Sequence, residues 1–208
     1  MVTDSYLTIE RISEGLYKDK GSRFLAFAYP VESEDEIKEY LQILKKEHHS
    51  ARHHCFAWML GAEKGRFRTN DDGEPSSTAG RPILSQIQKA GLTNILVVVV
   101  RYFGGTLLGV SGLIKAYGEA AANALDHAHV ITKTVEVPFC IRFDYVQMNN
   151  IMKIFKEKDL PQNKNEFDLQ CRIWSSVRQN DADEIFELFR KIEGVVIIPY
   201  EVTMFKNN

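Results

Sequence analysis

The stretch NILVVVVRYFGGTLLGVSG, residues 94–112, joins a strongly apolar run to a turn that contains four glycines. The apolar run is rich in β-branched residues at successive positions, which is typical of a strand buried on both faces. The glycines that follow predict a tight turn. An alanine-rich segment comes next, and we predict a helix over 112–128 with Ser111 as its N-cap. The stretch therefore predicts a central strand that leads through a glycine-rich turn into a helix.

The segments before this stretch predict further strands and helices. Apolar and aromatic runs predict strands at 23–31, 53–60 and 66–69. Ser33 and Glu36 have the spacing of a capping box, and the apolar period after them predicts a helix over 34–48. A second helix is expected to begin after Thr78, with Thr78 as its cap and Pro82 in its first turn.

The pattern changes after residue 130. Strands are predicted at 135–143, near 160–164, at 166–174 and at 195–202, with helices from Asp144 to about Lys158 and from Asn180 to Gly194. This β-α-β-β-α-β order is that of a ferredoxin-like domain. We therefore predict an α+β protein with two domains, residues 1–132 and 135–208.

Composition limits the class of protein. The chain has 208 residues, 44% hydrophobic and 26% charged, with a net charge of −2, as expected for a globular protein. No apolar run approaches the ~20 residues that cross a bilayer, and the N-terminus lacks a signal-peptide pattern. The three cysteines have neither disulfide-framework nor zinc spacing. We expect a cytoplasmic protein with reduced thiols and no membrane partner.

Positive charge is concentrated in one part of the sequence. No Asp or Glu occurs between Pro75 and Gly118, whereas four basic residues do: Arg81, Lys89, Arg101 and Lys115. Local clusters of this kind bind phosphate groups whatever the net charge of the chain. The alternative is that these are ordinary basic residues of the protein surface without a binding role.

The segment RTNDDGEPSSTAGRPIL, residues 68–84, is rich in carboxylates and hydroxyls. Its glycine and proline, together with Asp and Asn, are typical of a turn. We expect Asp71, Asp72 and Glu74 to shape this loop by accepting hydrogen bonds from backbone amides or by pairing with Arg81 or Arg101. Acid–base catalysis and a metal site with His53 or His54 are the alternatives. No metal-binding motif is present, so we expect neither a metal nor a cofactor.

The glycine-rich turn is the other candidate site, because a turn between a strand and a helix can bind phosphate through backbone N–H groups. Neither a P-loop nor a dinucleotide-binding motif is present, and GVSGL lacks the last glycine of the serine nucleophile motif. The residues predicted to bind are Arg81, Arg101, Gly104, Gly105, Gly109 and Lys115.

The two segments NDDGEPSSTAGRPIL and VVVVRYFGGTLLGVSGLIKAYGEAA resemble the YigZ/IMPACT family, in its bacterial branch. The resemblance implies a first domain with the ribosomal-protein-S5 domain-2-like fold, followed by a ferredoxin-like domain. It also implies a link to translation, and it brings no established catalytic activity. Eukaryotic relatives regulate an initiation-factor kinase by competing for its activator protein. Ser77 and Ser111 stand where the family commonly has glycine.

Three functions follow from these observations. The leading hypothesis is a non-enzymatic, translation-linked factor that binds RNA or the ribosome through a basic, glycine-rich face. The first alternative is an enzyme that binds a nucleotide or phosphate at the glycine-rich turn, since small-molecule kinases share the S5-like fold. The second is a regulator that binds a protein and no nucleic acid.

Overall fold

The computed structural model describes residues 4–199. Contacts along the chain divide it into two compact units: Ser5–Lys133, and the residues from Thr134 onward together with Asp4. Helices and strands occur in both, so the α+β class is confirmed. That residues 1–132 and 135–208 are separate domains stays a prediction.

A five-stranded antiparallel sheet forms the centre of the larger unit. Along the chain the elements are β1 (Ser5–Ile9), β2 (Ser13–Asp19), β3 (Ser22–Pro30), α1 (Glu34–Glu47), β4 (His53–Leu60), β5 (Arg66–Asn70), α2 (Gly80–Lys89), β6 (Ile95–Tyr102), α3 (Gly109–Asp126) and β7 (Val130–Thr134). The strand order is β2-β3-β6-β4-β5, and β1 pairs with β7 in a separate two-stranded sheet. Strands β1, β2 and β7 were not predicted from the sequence.

Strand β6 lies in the middle of the sheet and is buried on both faces, as its composition predicted. Successive side chains of a strand point to opposite faces. Ile95, Val97 and Val99 belong to one apolar core, which includes residues of α2 and α3. Leu96, Val98 and Val100 belong to a second core, which includes Ile37 and Leu44 of α1. The end of β6 is thereby fixed in position, and it carries Arg101 into the glycine-rich turn.

Helix starts agree with the sequence prediction in one case and differ in two. Ser33 caps α1, because its Oγ accepts a hydrogen bond from the Glu36 amide at 3.2 Å. Thr78 does not cap α2: its hydroxyl donates to the Pro75 carbonyl, and Ala79 is the N-cap. Ser111 lies inside α3, which begins at Gly109 and ends at Asp126. Both errors arise because the helices begin on residues that offer no side-chain acceptor.

The smaller unit has the predicted β-α-β-β-α-β order. Its elements are β8 (Glu136–Phe143), α4 (Met148–Glu157), β9 (Lys164–Phe167), β10 (Cys171–Arg178), α5 (Ala182–Arg190) and β11 (Val196–Pro199), with short 3-10 helices at Tyr145–Gln147 and Gln179–Asp181. The antiparallel sheet has the order β11-β8-β10-β9. A core that includes Phe139, Phe155 and Phe189 packs beneath it.

Two strand positions in this unit were predicted wrongly. The strand expected near 160–164 begins only at Lys164, and the strand expected at 166–174 is interrupted by a bend at 168–170. Residues 166–167 therefore finish one strand of a hairpin, and residues from Cys171 begin the next. The alternation of apolar and polar residues continues across the bend, which hides it in the sequence. Of the last predicted strand, residues 200–202 lie outside the described residues.

Candidate functional site

Asp71 supplies the hydrogen-bond acceptor at the start of α2. Its carboxylate accepts from the amides of Ser77 at 2.8 Å, Ala79 at 3.0 Å and Gly80 at 2.9 Å. Burial alone would raise the pKa of Asp71, but these bonds and the nearby charge of Arg81 outweigh burial and lower it. Ser77 adopts a φ of 63°, the left-handed conformation that glycine adopts without strain. Asp71 therefore shapes the loop and caps the helix.

Asp72 ties the same loop to the beginning of β4. Its carboxylate accepts a hydrogen bond from the His54 amide at 2.7 Å, and its carbonyl accepts one from Nδ1 of His53 at 2.8 Å. The His54 ring is buried, and this burial lowers its pKa in spite of the neighbouring Asp72. His54 is therefore neutral near pH 7. The two adjacent histidines hold the loop in place.

Glu74 and Arg101 form a buried ion pair beneath the glycine-rich turn. Nη1 of Arg101 donates to Oε1 of Glu74 at 2.6 Å, and the two side chains are only 7% and 4% exposed. The Tyr117 hydroxyl donates to the same oxygen at 2.8 Å. The guanidinium carbon lies 5.5 Å from the ring centres of both Phe24 and Phe103. Two roles were predicted for Arg101, a phosphate contact and an ion pair with a loop carboxylate. In the structure it forms the ion pair, with Glu74.

Cys55 and Tyr117 lie in the same buried region. The Cys55 thiol donates to the Asp71 carbonyl at 3.0 Å. Burial raises the pKa of the Cys55 thiol and of the Tyr117 hydroxyl. Both groups are therefore protonated at neutral pH, and the thiol lacks the anionic form that a cysteine nucleophile needs.

Glycine is required at the predicted positions of the turn for two different structural reasons. A Cβ on Gly104 would lie 1.9 Å from the carbonyl carbon of Gly21, so the close approach of the two backbones excludes any side chain. Gly105 and Gly109 have φ values of 89° and 72° and open space around them. Leu108, the N-cap of α3, offers no side-chain acceptor to the first amides of that helix. Ser111 is helical, so glycine is not needed there.

A pocket of about 730 Å³ lies beside this turn. Its apolar wall comes from the turn and the start of α3: Phe103, Leu107, Leu108, Val110 and Leu113. Its polar wall includes Arg52, His53, Glu74 and Arg101. Phe103 is 56% exposed and Leu107 81%. The surface that the sequence indicated as basic is therefore largely apolar, with a few charged residues in its lining.

The structure brings together only some of the predicted binding residues. Arg101 and Gly109 line the pocket, and Gly104 and Gly105 form the turn next to it. Arg81 and Lys115 lie on exposed parts of α2 and α3, outside the pocket lining.

Two arginines that sequence reasoning missed lie near the pocket. Arg52 is exposed and lines it, and Arg23 is exposed and stacks over Tyr102, another lining residue, at 5.1 Å. The strand register explains their position, since β6 pairs Tyr102 with Arg23 and Arg101 with His53. No signal in the sequence reveals this register.

Residues 4–199 contain neither a metal-binding cluster nor a membrane-spanning helix. Among residues 4–199, no group of three or more His, Cys, Asp or Glu side chains is arranged to hold a metal ion. Within the same range, no helix is long and apolar enough to span a membrane.

Fold and site together define a class: a two-unit α+β protein whose larger unit presents a loop-lined pocket, and whose smaller unit is ferredoxin-like. The model of the Impact N-terminal domain matches residues 20–125. The chain belongs to the IMPACT family.

Individual relatives agree with this assignment. IMPACT family member YvyE of Bacillus subtilis is 37% identical, over 74% of this chain and 70% of its own. IMPACT family member YigZ of Escherichia coli is also 37% identical, over 67% of this chain and 70% of its own. A crystal structure of a hypothetical protein is similar over 97% of this chain and 100% of its own, with a TM-score of 0.75 and 29% identity.

Proposed function

We propose that this protein is a non-enzymatic, translation-linked factor that binds single-stranded RNA, free or within the ribosome, at the surface around the pocket. The link to translation is what the resemblance to the YigZ/IMPACT family implies. The RNA-binding role is supported by the chemistry of the site.

The observation that carries the proposal is an exposed aromatic ring beside exposed arginines. Phe103 is 56% exposed, and Arg52 lines the same pocket. Arg23 is exposed next to Tyr102. Proteins that bind single-stranded nucleic acid combine aromatic stacking of bases with basic contacts to the backbone. The start of α3 adds backbone N–H groups without a side-chain cap, which favour an anion.

The buried ion pair changes which basic side chains are proposed to contact phosphate. Arg101 is neutralised by Glu74, so phosphate contacts fall instead to Arg52 and Arg23. Lys115 and Arg81 are exposed and remain predicted as further phosphate contacts.

The test is a salt titration of RNA binding. Fluorescence anisotropy of a labelled single-stranded RNA, and cosedimentation with ribosomes, are measured from low to high salt. Each phosphate contact adds a slope of about −0.7 to the dependence of log K on log salt. We expect Arg52→Ala and Lys115→Ala each to weaken binding and to flatten the slope by about that amount. Arg68→Ala, at an exposed position on β5, is the control and leaves both unchanged.

Two results would reject the proposal. One is the lack of any affinity for RNA or ribosomes at low salt. The other is binding of a nucleotide in the same titration without binding of RNA, which favours the enzyme alternative. Melting temperatures of all variants separate loss of contact from loss of folding.

A protein partner is the second candidate, and the exposed apolar residues favour it. Leu107 is 81% exposed, Val110 59% and Ile114 43%, close together in sequence around the start of α3. Exposed apolar patches mark protein interfaces. Binding to ribosomes that survives high salt, that Leu107→Ser abolishes and that Arg52→Ala leaves unchanged, would support this candidate over RNA.

A further inference from the structure

We propose that the pocket beside the glycine-rich turn receives one unstacked nucleobase, which lies on Phe103 and directs its hydrogen-bonding edge toward Glu74 and Arg101. This inference rests on the proposed RNA-binding function and names the part of the RNA that the pocket recognises.

Size is the first argument. The pocket holds about 730 Å³, within the range of sites that enclose a small organic ligand. A single base with part of its ribose fits such a volume. The pocket is lined entirely by residues of the larger unit, between Ser50 and Leu113.

Unused hydrogen-bonding groups in the polar wall are the second argument. Arg101 and Tyr117 both donate to Oε1 of Glu74, which leaves Oε2 as an acceptor. Nε of Arg101 is buried and has no hydrogen-bond partner among residues 4–199. An arginine carries five N–H donors, and the bond to Glu74 uses one of them. A buried donor without a partner is unfavourable, and a ligand that supplies the acceptor relieves this.

The chemistry of these groups selects the ligand. A carboxylate oxygen and guanidinium N–H groups that line one pocket favour a ligand edge that carries both an N–H donor and an acceptor. The edge of a nucleobase has both. A phosphate in this position would face the negative charge of Glu74, and an apolar side chain would leave both groups unsatisfied. Phosphates are instead expected at Arg52, on the exposed part of the lining.

The apolar wall is the third argument. The Arg101 guanidinium lies over the Phe103 ring, yet more than half of the Phe103 surface remains exposed. Leu107 and Val110 line the same pocket and are also exposed. A base stacked on Phe103 covers this apolar surface, and stacking of this kind is independent of base sequence.

The test compares a short single-stranded RNA with an oligomer of equal length that lacks all of its bases but keeps every phosphate. The wild-type protein is expected to bind the abasic oligomer about tenfold more weakly, as the loss of one stacked base predicts. Phe103→Ala is expected to bind both oligomers equally, with the salt slope of the wild type. Phe67→Ala is the matched control, since Phe67 is 54% exposed on β5, and it keeps the discrimination.

Two further variants guard against misfolding and test the polar wall. Phe103→Leu keeps apolar cover over Arg101 but cannot stack, so it is expected to behave like Phe103→Ala. Glu74→Gln keeps one acceptor oxygen and replaces the other with a donor. It is therefore expected to change the preference among poly(A), poly(C), poly(G) and poly(U), measured on protein whose melting curve shows a folded state.

The outcomes separate the two proposals. RNA that binds with equal affinity with and without its bases, in wild type and in every Phe103 variant, overturns the base pocket and leaves the proposed function standing. No binding of RNA or ribosomes at low salt overturns the proposed function itself.

Discussion

At the scale of single residues, we expect the stability of the folded protein to depend on the Arg101–Glu74 pair. Both side chains are buried, and each has the other as its charged partner. Removing one member of a buried pair leaves an uncompensated charge, which costs about 3–5 kcal/mol. Arg101→Met is therefore expected to lower the free energy of unfolding by that amount, measured by urea denaturation.

The double variant separates this electrostatic effect from lost packing. Arg101→Met with Glu74→Leu removes both charges, so it is expected to be clearly more stable than Arg101→Met alone. Arg68→Met, on the exposed surface of β5, should change stability little. A double variant as unstable as the sum of the single variants contradicts the assignment of a coupled pair.

Asp71 predicts a defined dependence of stability on pH. Its pKa is lower in the folded protein than its ordinary value of about 3.9. Such a carboxyl stabilises the folded state above that unfolded value, and the stabilisation is lost as the pH falls through the lower folded value. At pH 7, Asp71→Asn should cost about 1–3 kcal/mol, because an amide cannot accept from all three backbone N–H groups.

The sign of this effect can be checked directly. The difference in melting temperature between wild type and Asp71→Asn should be largest near neutral pH and should shrink below about pH 4. Asp126→Asn, at the exposed end of α3, is the control. A difference that stays constant down to the most acid pH tested would show that the charge of Asp71 is not what stabilises the loop.

At the scale of elements, the glycine-rich turn between β6 and α3 requires its glycines for different reasons. Gly104→Ala places a Cβ against the backbone of Gly21, and backbone atoms cannot move aside. We expect a loss of roughly 3 kcal/mol or more. At Gly105 an added Cβ meets no other atom, so Gly105→Ala should lose only the free energy of holding a positive φ, about 1–2 kcal/mol. Denaturation curves of the two variants test this order, and equal losses would contradict it.

At the scale of the whole molecule, we expect the two units to fold independently. Their apolar cores consist of separate sets of residues, and their sheets are separate. A fragment of residues 5–133 should therefore show the circular dichroism spectrum of a folded α+β protein and unfold cooperatively on heating. An unfolded fragment would show that the predicted domain boundary is wrong.

The smaller unit should be the less stable of the two. A unit of about 80 residues buries a smaller fraction of its surface than one of about 130. In the full chain, amides of β8 and β10 should exchange with solvent faster than amides of β6. The reverse order would contradict this expectation.

Elements with a local signal could be predicted from the sequence alone. The β-branched run at 95–100 predicted the doubly buried strand β6, because burial on both faces requires apolar residues at every position. The change of period after residue 130 predicted the β-α-β-β-α-β order of the smaller unit. Ser33 and Glu36 predicted the start of α1, because all the groups of that cap lie within three residues.

Contacts between residues far apart in the sequence could not be predicted before the fold was known. Arg101 meets Glu74 across 27 positions, and its carboxylate partner was one of three candidates in the loop. Arg23 and Arg52 lie near the pocket only because β3 and β4 flank β6 in a particular register. Asp71 accepts from the first amides of α2 in place of Thr78. Hydrogen-bond partners and charge neighbours depend on distances in space, and the chain sets these distances only once its strands are paired and its helices packed.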